Sequence, residues 1–151
     1  MTPIRQTFSL AGVTKCGTSS LHAYLSQHPD ICVSTPKEPW CFEDPSAYAH
    51  YVQSDFREYY ARNFPNYTGQ SAVGDCNPRK LTFPWSLRLL HQQMPDGKIL
   101  ILVRNPSQRA FSEWWMDYYA GSEELDFESA LEENLKCELA GRVLHDDEET
   151  A

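Results

Sequence analysis

The stretch Gly12-Val13-Thr14-Lys15-Cys16-Gly17-Thr18-Ser19-Ser20 sets a lysine, a glycine and a run of three hydroxyls between an apolar run and a helix-like segment. Those residue types at a strand-to-helix junction are suited to binding an anion. Backbone N–H groups at a helix start lack partners within the helix and carry the positive end of its dipole, so they attract a phosphate group. Gly17 allows the backbone to come close, and Thr18, Ser19 and Ser20 supply further donors. The same residues also suit an ordinary βα turn capped by Thr18 or Ser19, with Lys15 in solvent. The nucleotide pattern G-x-x-x-x-G-K-[ST] is not met, because Lys15 precedes Gly17 instead of following it. That order counts against a P-loop phosphotransferase.

Two other places concentrate reactive groups. In Leu102-Val103-Arg104-Asn105-Pro106-Ser107-Gln108-Arg109-Ala110-Phe111-Ser112, Arg104 offers the planar fork that grips a phosphate with two hydrogen bonds. Ser112 adds a hydroxyl further along the helix, and Arg109 has the character of a structural residue. In Thr35-Pro36-Lys37-Glu38-Pro39-Trp40-Cys41-Phe42, a lysine and a carboxylate stand side by side in a proline-bounded loop. Alone, Arg104 is a surface arginine and Lys37-Glu38 an exposed pair.

The elements that must hold these groups follow from hydrophobic periodicity. Phe8–Val13 reads as a strand, Leu21, Tyr24 and Leu25 as one helix face, and Ile31–Val33 as a second strand after the break at His28-Pro29-Asp30. Phe56, Tyr59, Tyr60 and Phe64 predict a helix, Ala72–Gly74 a weak strand, and Leu87, Leu90 and Met94 another helix closed by Pro95-Asp96-Gly97. Lys98–Val103 is a continuous apolar run of the kind that is covered on both faces of a parallel sheet. A helix from Pro106 to Gly121 would bury Ala110, Phe111, Trp114, Trp115 and Tyr118; Trp114, Trp115, Tyr118 and Tyr119 could instead stack on a sugar, although an aromatic stripe at helical spacing is more often core. A last helix carries Phe127, Ala130, Leu131, Leu135 and Leu139, with Asp126 as its N-cap. Strands alternating with helices mean an α/β fold, and 151 residues suit a single domain, with 146–151 as an acidic tail.

Composition narrows the partners. A net charge of −8 argues against a general nucleic-acid binder, and no apolar run is long enough for a membrane span. The five cysteines, Cys16, Cys32, Cys41, Cys76 and Cys137, show no C-x-x-C pair, which points to free thiols and not to a zinc site. The chain as it stands reads as cytoplasmic.

Lys15–Ser20 resembles the K-x-G-T-[ST] phosphosulfate loop of the sulfotransferase family, and Arg104–Ser112 resembles that family's R-x-P-x-x-R-x-x-S segment. The resemblance implies a three-layer α/β sandwich with a central parallel sheet, the P-loop NTPase-like sulfotransferase fold. It implies 3′-phosphoadenosine-5′-phosphosulfate as donor and 3′,5′-bisphosphoadenosine as product, with no metal. By the same resemblance Lys15, Cys16, Gly17, Thr18, Ser19 and Ser20 hold the 5′ end of the donor, Arg104 and Ser112 its 3′-phosphate, and Lys15 also acts in catalysis. Lys37–Phe42 is similar to the K-E-P-x-x-F segment of the Golgi-type glycosaminoglycan sulfotransferases, which makes Glu38 the general base. Gly74-Asp75-Cys76-Asn77-Pro78 stands where the family has a segment resembling G-E-x-[ST]-P. Asp75 is thereby expected to orient the acceptor or Lys37, and Arg79 and Lys80 to meet an acidic acceptor. Cys76-Asn77 departs from the lysine or serine common there. The acceptor implied is a glycan, or a small hydroxyl or amine compound, and the compartment implied for a fragment of a type II membrane enzyme is the Golgi lumen. Family domains are longer and carry a late glycine- and lysine-rich loop over the adenine, so the expectation is the N-terminal portion of such a domain. A shortened module that binds a nucleotide or partner without catalysis is the alternative.

Overall fold

In a computed structural model the described residues are 4–44 and 56–139; the acidic tail at 146–151 lies outside them. The chain divides into two compact units, Met1–Arg104 and Asn105–Ala151. The first holds a four-stranded sheet formed by β1 (Phe8–Gly12), β2 (Ile31–Val33), β3 (Ala72–Cys76) and β4 (Lys98–Ile101), in the order β2-β3-β1-β4. Every pairing is parallel. The helices between the strands are α1 (Thr18–Leu25), α2 (Phe56–Ala61) and α3 (Pro84–Gln93), with a 3₁₀ turn at Lys80–Thr82. The α/β architecture expected from the alternation is therefore present.

β1 is central because its run FSLAG can be buried whole: all five residues are buried, with Leu10 and Ala11 at 0% exposure. It meets β3 at Phe8↔Gly74 and β4 at Phe8↔Lys98. Gly74 is required at that register, since a Cβ there would stand 2.4 Å from the Phe8 ring. Beside the sheet, Phe42, Tyr60, Phe64, Val73, Leu89, Leu90 and Met94 form the main apolar cluster. Phe42 and Tyr60 pack at 5.5 Å, and Tyr60 and Phe64 at 5.1 Å.

β3 runs further than its weak apolar signal suggested. It continues through Asp75 and Cys76, both buried, because the carboxylate finds partners inside. β4 differs from the expectation for Lys98–Val103 of cover on both faces: among the described residues it is an outer strand of the sheet, with Ile99 43% and Ile101 51% exposed and Val103 81% exposed just beyond it. An apolar run records affinity for a sheet and not the strand's place in it.

The second unit is a pair of helices, α4 (Pro106–Ala120) and α5 (Phe127–Leu139). Asn105 caps α4 by accepting from the N–H groups of Ser107 and Gln108, Pro106 fills the first turn, and Gly121 closes it at φ 76°. The Asp126 carboxylate accepts from Ser129 N at 2.9 Å at the start of α5, as an N-cap should. The expected buried stripe of α4 is not found: no residue of α4 is buried, and Phe111, Trp115 and Tyr118 are about half exposed. The aromatic spacing instead makes a local cluster in which Trp114 packs on Tyr118 and Phe127, and its Nε1 donates to Leu125 O at 2.9 Å.

Candidate active site at the carboxyl edge of the sheet

Parallel strands put all four of their carboxyl ends on one edge, where ligands of open α/β sheets bind. From β1 the chain enters residues 13–17. Val13 N donates to Leu102 O at 3.0 Å, and Leu102 N to Gly12 O at 2.9 Å, so this loop and the chain leaving β4 are tied together. Lys15 and Gly17 take the left-handed conformation, φ 61° and 91°, which turns the loop sharply before α1. Gly17 is the N-cap residue of α1, and no side chain caps the helix. The alternative of a hydroxyl cap is thereby corrected: Thr18 is buried at 4% exposure, while Ser19 and Ser20 are exposed outside the cap position. Uncapped first-turn N–H groups are the donors an anion needs.

Arg104 reaches this loop from the other motif. Its Nη1 donates to Lys15 O at 3.3 Å, across 89 positions of sequence. Ser112 belongs to the second unit, where it is half-buried on α4. Arg109, one turn earlier, makes an ion pair with Glu113, in keeping with a structural part.

From β2 the chain enters residues 34–44. Ser34 N donates to Gly74 O at 3.1 Å, its hydroxyl donates to Lys37 O at 3.0 Å, and His22 Nε2 of α1 lies 3.0 Å from Ser34 O. Those contacts hold Lys37 and Glu38 at the edge, where Lys37 Nζ pairs with Glu38 Oε1 at 2.5 Å and both side chains stay partly exposed. Cys76 ends β3 between the two loops. Its sulfur is 3.9 Å from Thr18 O. Burial pushes its thiol up to about 11 against the field of Lys37, with Asp75 and Glu38 acting in the same sense as burial and Lys80 opposing it. The start of α1, Cys76 and the Lys37–Glu38 pair thus surround one place.

Two residues expected at the surface lie inside. Lys80, expected to meet an acidic acceptor, has 0% exposure, with Nζ 2.5 Å from Asp75 Oδ2 and 3.5 Å from Glu43 Oε1. It also lies 4.6 Å from the Phe42 ring centroid. Asp75, expected to orient the acceptor or Lys37, is 1% exposed and accepts from Ser9 Oγ at 2.6 Å and Gln6 Nε2 at 3.1 Å. An ammonium taken out of water needs matched carboxylates, and these two supply them. Burial works against the Lys80 charge, but Asp75 and Glu43 outweigh it and hold its pKa above the ordinary value. Arg79 remains at the edge, half-buried, with its guanidinium carbon 5.8 Å from the Trp40 ring centroid. Glu43 and Trp40 were not singled out by sequence reasoning. Nothing local marks Glu43; for Trp40 the signal was a large aromatic two positions from the candidate base.

Burial also pushes Glu43 above its ordinary value near 4.5, with Lys80 opposing and Asp75 reinforcing the shift. The folded state therefore holds that proton more tightly than the unfolded chain. Its contribution to stability is complete below the unfolded pKa and is lost as pH rises through the raised one. Glu43→Gln is accordingly expected to gain stability relative to the natural protein as pH rises from 4 to 7. Unfolding midpoints measured across that range check it; a constant offset contradicts it.

A sequence model of the sulfotransferase domain matches residues 5–147. The chain is 32% identical over 110 residues to the membrane-associated sulfotransferase kil1 of Dictyostelium discoideum, covering 71% of this chain and 22% of that protein. It is 27% identical over 150 residues to the bifunctional heparan sulfate N-deacetylase/N-sulfotransferase 1 of Caenorhabditis elegans, covering 90% of this chain and 17% of that protein. Among solved structures, a sulfotransferase from Alicyclobacillus acidocaldarius matches with a TM-score of 0.74 at 33% identity, over 88% of this chain and 58% of that one. The chain spans about a fifth of the length of these two curated relatives.

Proposed function

Since the chain belongs to the sulfotransferase family, we propose that it transfers a sulfonate group from 3′-phosphoadenosine-5′-phosphosulfate to a hydroxyl or amine of an acceptor, a carbohydrate in this reading. The observation that carries the proposal is the hydrogen bond from Arg104 to Lys15 O, which joins the two anion-binding segments at the edge where Glu38 also stands. A donor with phosphates at both its 5′ and 3′ positions needs two such groups. The uncapped start of α1 and Lys15 suit the 5′-phosphosulfate, and the Arg104 guanidinium suits the 3′-phosphate.

In the proposed reaction the acceptor oxygen or nitrogen attacks sulfur in line with the leaving oxygen. A new bond to sulfur forms as the bond to the bridging oxygen breaks, and that oxygen keeps the electron pair as part of the 5′-phosphate of 3′,5′-bisphosphoadenosine. The acceptor's proton passes to the Glu38 carboxylate, which Lys37 orients through the 2.5 Å contact. Lys15 and the N–H groups of α1 stabilise the charge that grows on the leaving oxygen. Positioning and charge stabilisation supply most of the acceleration, as in phosphoryl transfer through a loose transition state.

Calorimetry with 3′,5′-bisphosphoadenosine and with ATP tests the donor. The bisphosphate is expected to bind at least tenfold more tightly and to lose that margin in Arg104→Ala; equal affinities overturn the assignment. Lys15→Ala is expected to lower sulfonate transfer by about 10²–10³, the loss typical of removing one donor at a developing oxyanion. Undiminished transfer removes Lys15 from the mechanism.

A further inference from the structure

We propose that Trp40, braced by Arg79, is the platform that seats the ring of the acceptor, and that it takes an uncharged sugar ring and not a polyanionic glycan. This rests on the reading of residues 34–44 as the acceptor side of a sulfotransferase site.

The first argument is conformational. Trp40 has φ 51°, in the left-handed region that a side chain with a Cβ avoids. The residues after it are fixed from within: Cys41 and Phe42 are 1% exposed, and Glu43 is 3% exposed and reaches Lys80. The indole does not share that burial and remains 38% exposed. A large aromatic held in a disfavoured backbone conformation and left half in water gains little for the fold. Such strain persists where a site uses it.

The second argument is position. Trp40 is two residues from Glu38, so their Cα atoms are at most about 7 Å apart, roughly one sugar ring. Arg79, from the loop after β3, lies against the indole at 5.8 Å, a cation–π contact that steadies the ring. The C–H face of a pyranose is apolar with slightly positive hydrogens, which suits an indole face.

The third argument is charge. Of the three cations that the acceptor side could offer to an anionic chain, Lys80 is buried between two carboxylates, Lys37 is bonded to Glu38, and Arg79 lies on Trp40. The chain as a whole carries a net charge of −8, so a polyanion gains no long-range attraction from it, whereas a neutral sugar is indifferent to that charge.

The test uses the full chain saturated with 3′,5′-bisphosphoadenosine. N,N′-diacetylchitobiose is the neutral probe and an unsulfated heparosan hexasaccharide the polyanionic one, with binding read by saturation-transfer NMR and calorimetry. The neutral probe is expected to bind at least tenfold more tightly at low salt and to lose at least tenfold in Trp40→Gly. Because glycine accepts φ 51°, that variant is expected to unfold within about 4 °C of the natural protein. Tighter binding of heparosan, unchanged sugar binding by Trp40→Gly, or a much larger fall in its unfolding midpoint each overturns the platform. Nucleotide binding without Trp40-dependent sugar binding overturns the platform alone. Failure of bisphosphoadenosine to bind overturns the sulfotransferase reading on which it rests.

Discussion

Lys80→Met is expected to destabilise the protein by about 3–5 kcal/mol, the cost of leaving buried carboxylates without their cation. Asp75 and Glu43 are 1% and 3% exposed, and Lys80 is the ammonium that both approach. The hydrogen bonds from Ser9 and Gln6 to Asp75 moderate its charge but do not cancel it. Since a domain's whole stability is about 5–15 kcal/mol, the variant would be largely unfolded at modest urea concentrations. Urea titration gives the difference directly, and a loss below about 1 kcal/mol contradicts the account. A second variant separates charge from packing. Lys80→Met combined with Asp75→Asn and Glu43→Gln removes the stranded charges, so it should recover part of the loss. The network also bears on function, because Glu43 anchors the loop that carries Lys37, Glu38 and Trp40. Loosening it should weaken acceptor binding before donor binding.

Glu38→Gln is expected to lower sulfonate transfer by about 10²–10⁴, the usual contribution of a positioned general base. Glutamine keeps the size and a hydrogen-bonding oxygen but cannot take the acceptor's proton. Donor binding should change little, since the proposed contacts with the donor come from Lys15, the start of α1 and Arg104. The paired measurements are single-turnover transfer and calorimetry with 3′,5′-bisphosphoadenosine. A variant that transfers at the natural rate removes Glu38 from the mechanism, and one that loses nucleotide affinity moves it to the donor side.

How far the sequence reached depended on whether a feature was local. The 13–17 loop, the Lys37–Glu38 pair and the Pro106 start of α4 are adjacent residues whose chemistry is complete within one turn, and the strand–helix alternation is a periodicity of neighbours. Asp75 and Lys80 were legible as charges but not as a pair, because an acid and a base five positions apart meet only when the turn after β3 folds one over the other. Glu43 joins them from 37 positions upstream, and nothing in its own surroundings announces it.

The apolar runs show the same limit. Lys98–Val103 and the aromatic stripe of α4 have the pattern of buried segments, yet among the described residues β4 is an outer strand and α4 has no buried residue. Hydrophobicity measures what burial would gain, not which element supplies the cover.

By itself, then, the sequence determined the α/β architecture and the strand–loop–helix position of Lys15–Ser20, the proposed donor side, since both follow from residues close along the chain. Only the tertiary structure decided which charges stay in water: it buried Asp75 and Lys80, left α1 without a side-chain cap, and left Trp40 38% exposed. The reason is physical. Desolvation turns a charge from a surface group into a structural one, and it depends on neighbours distant in sequence.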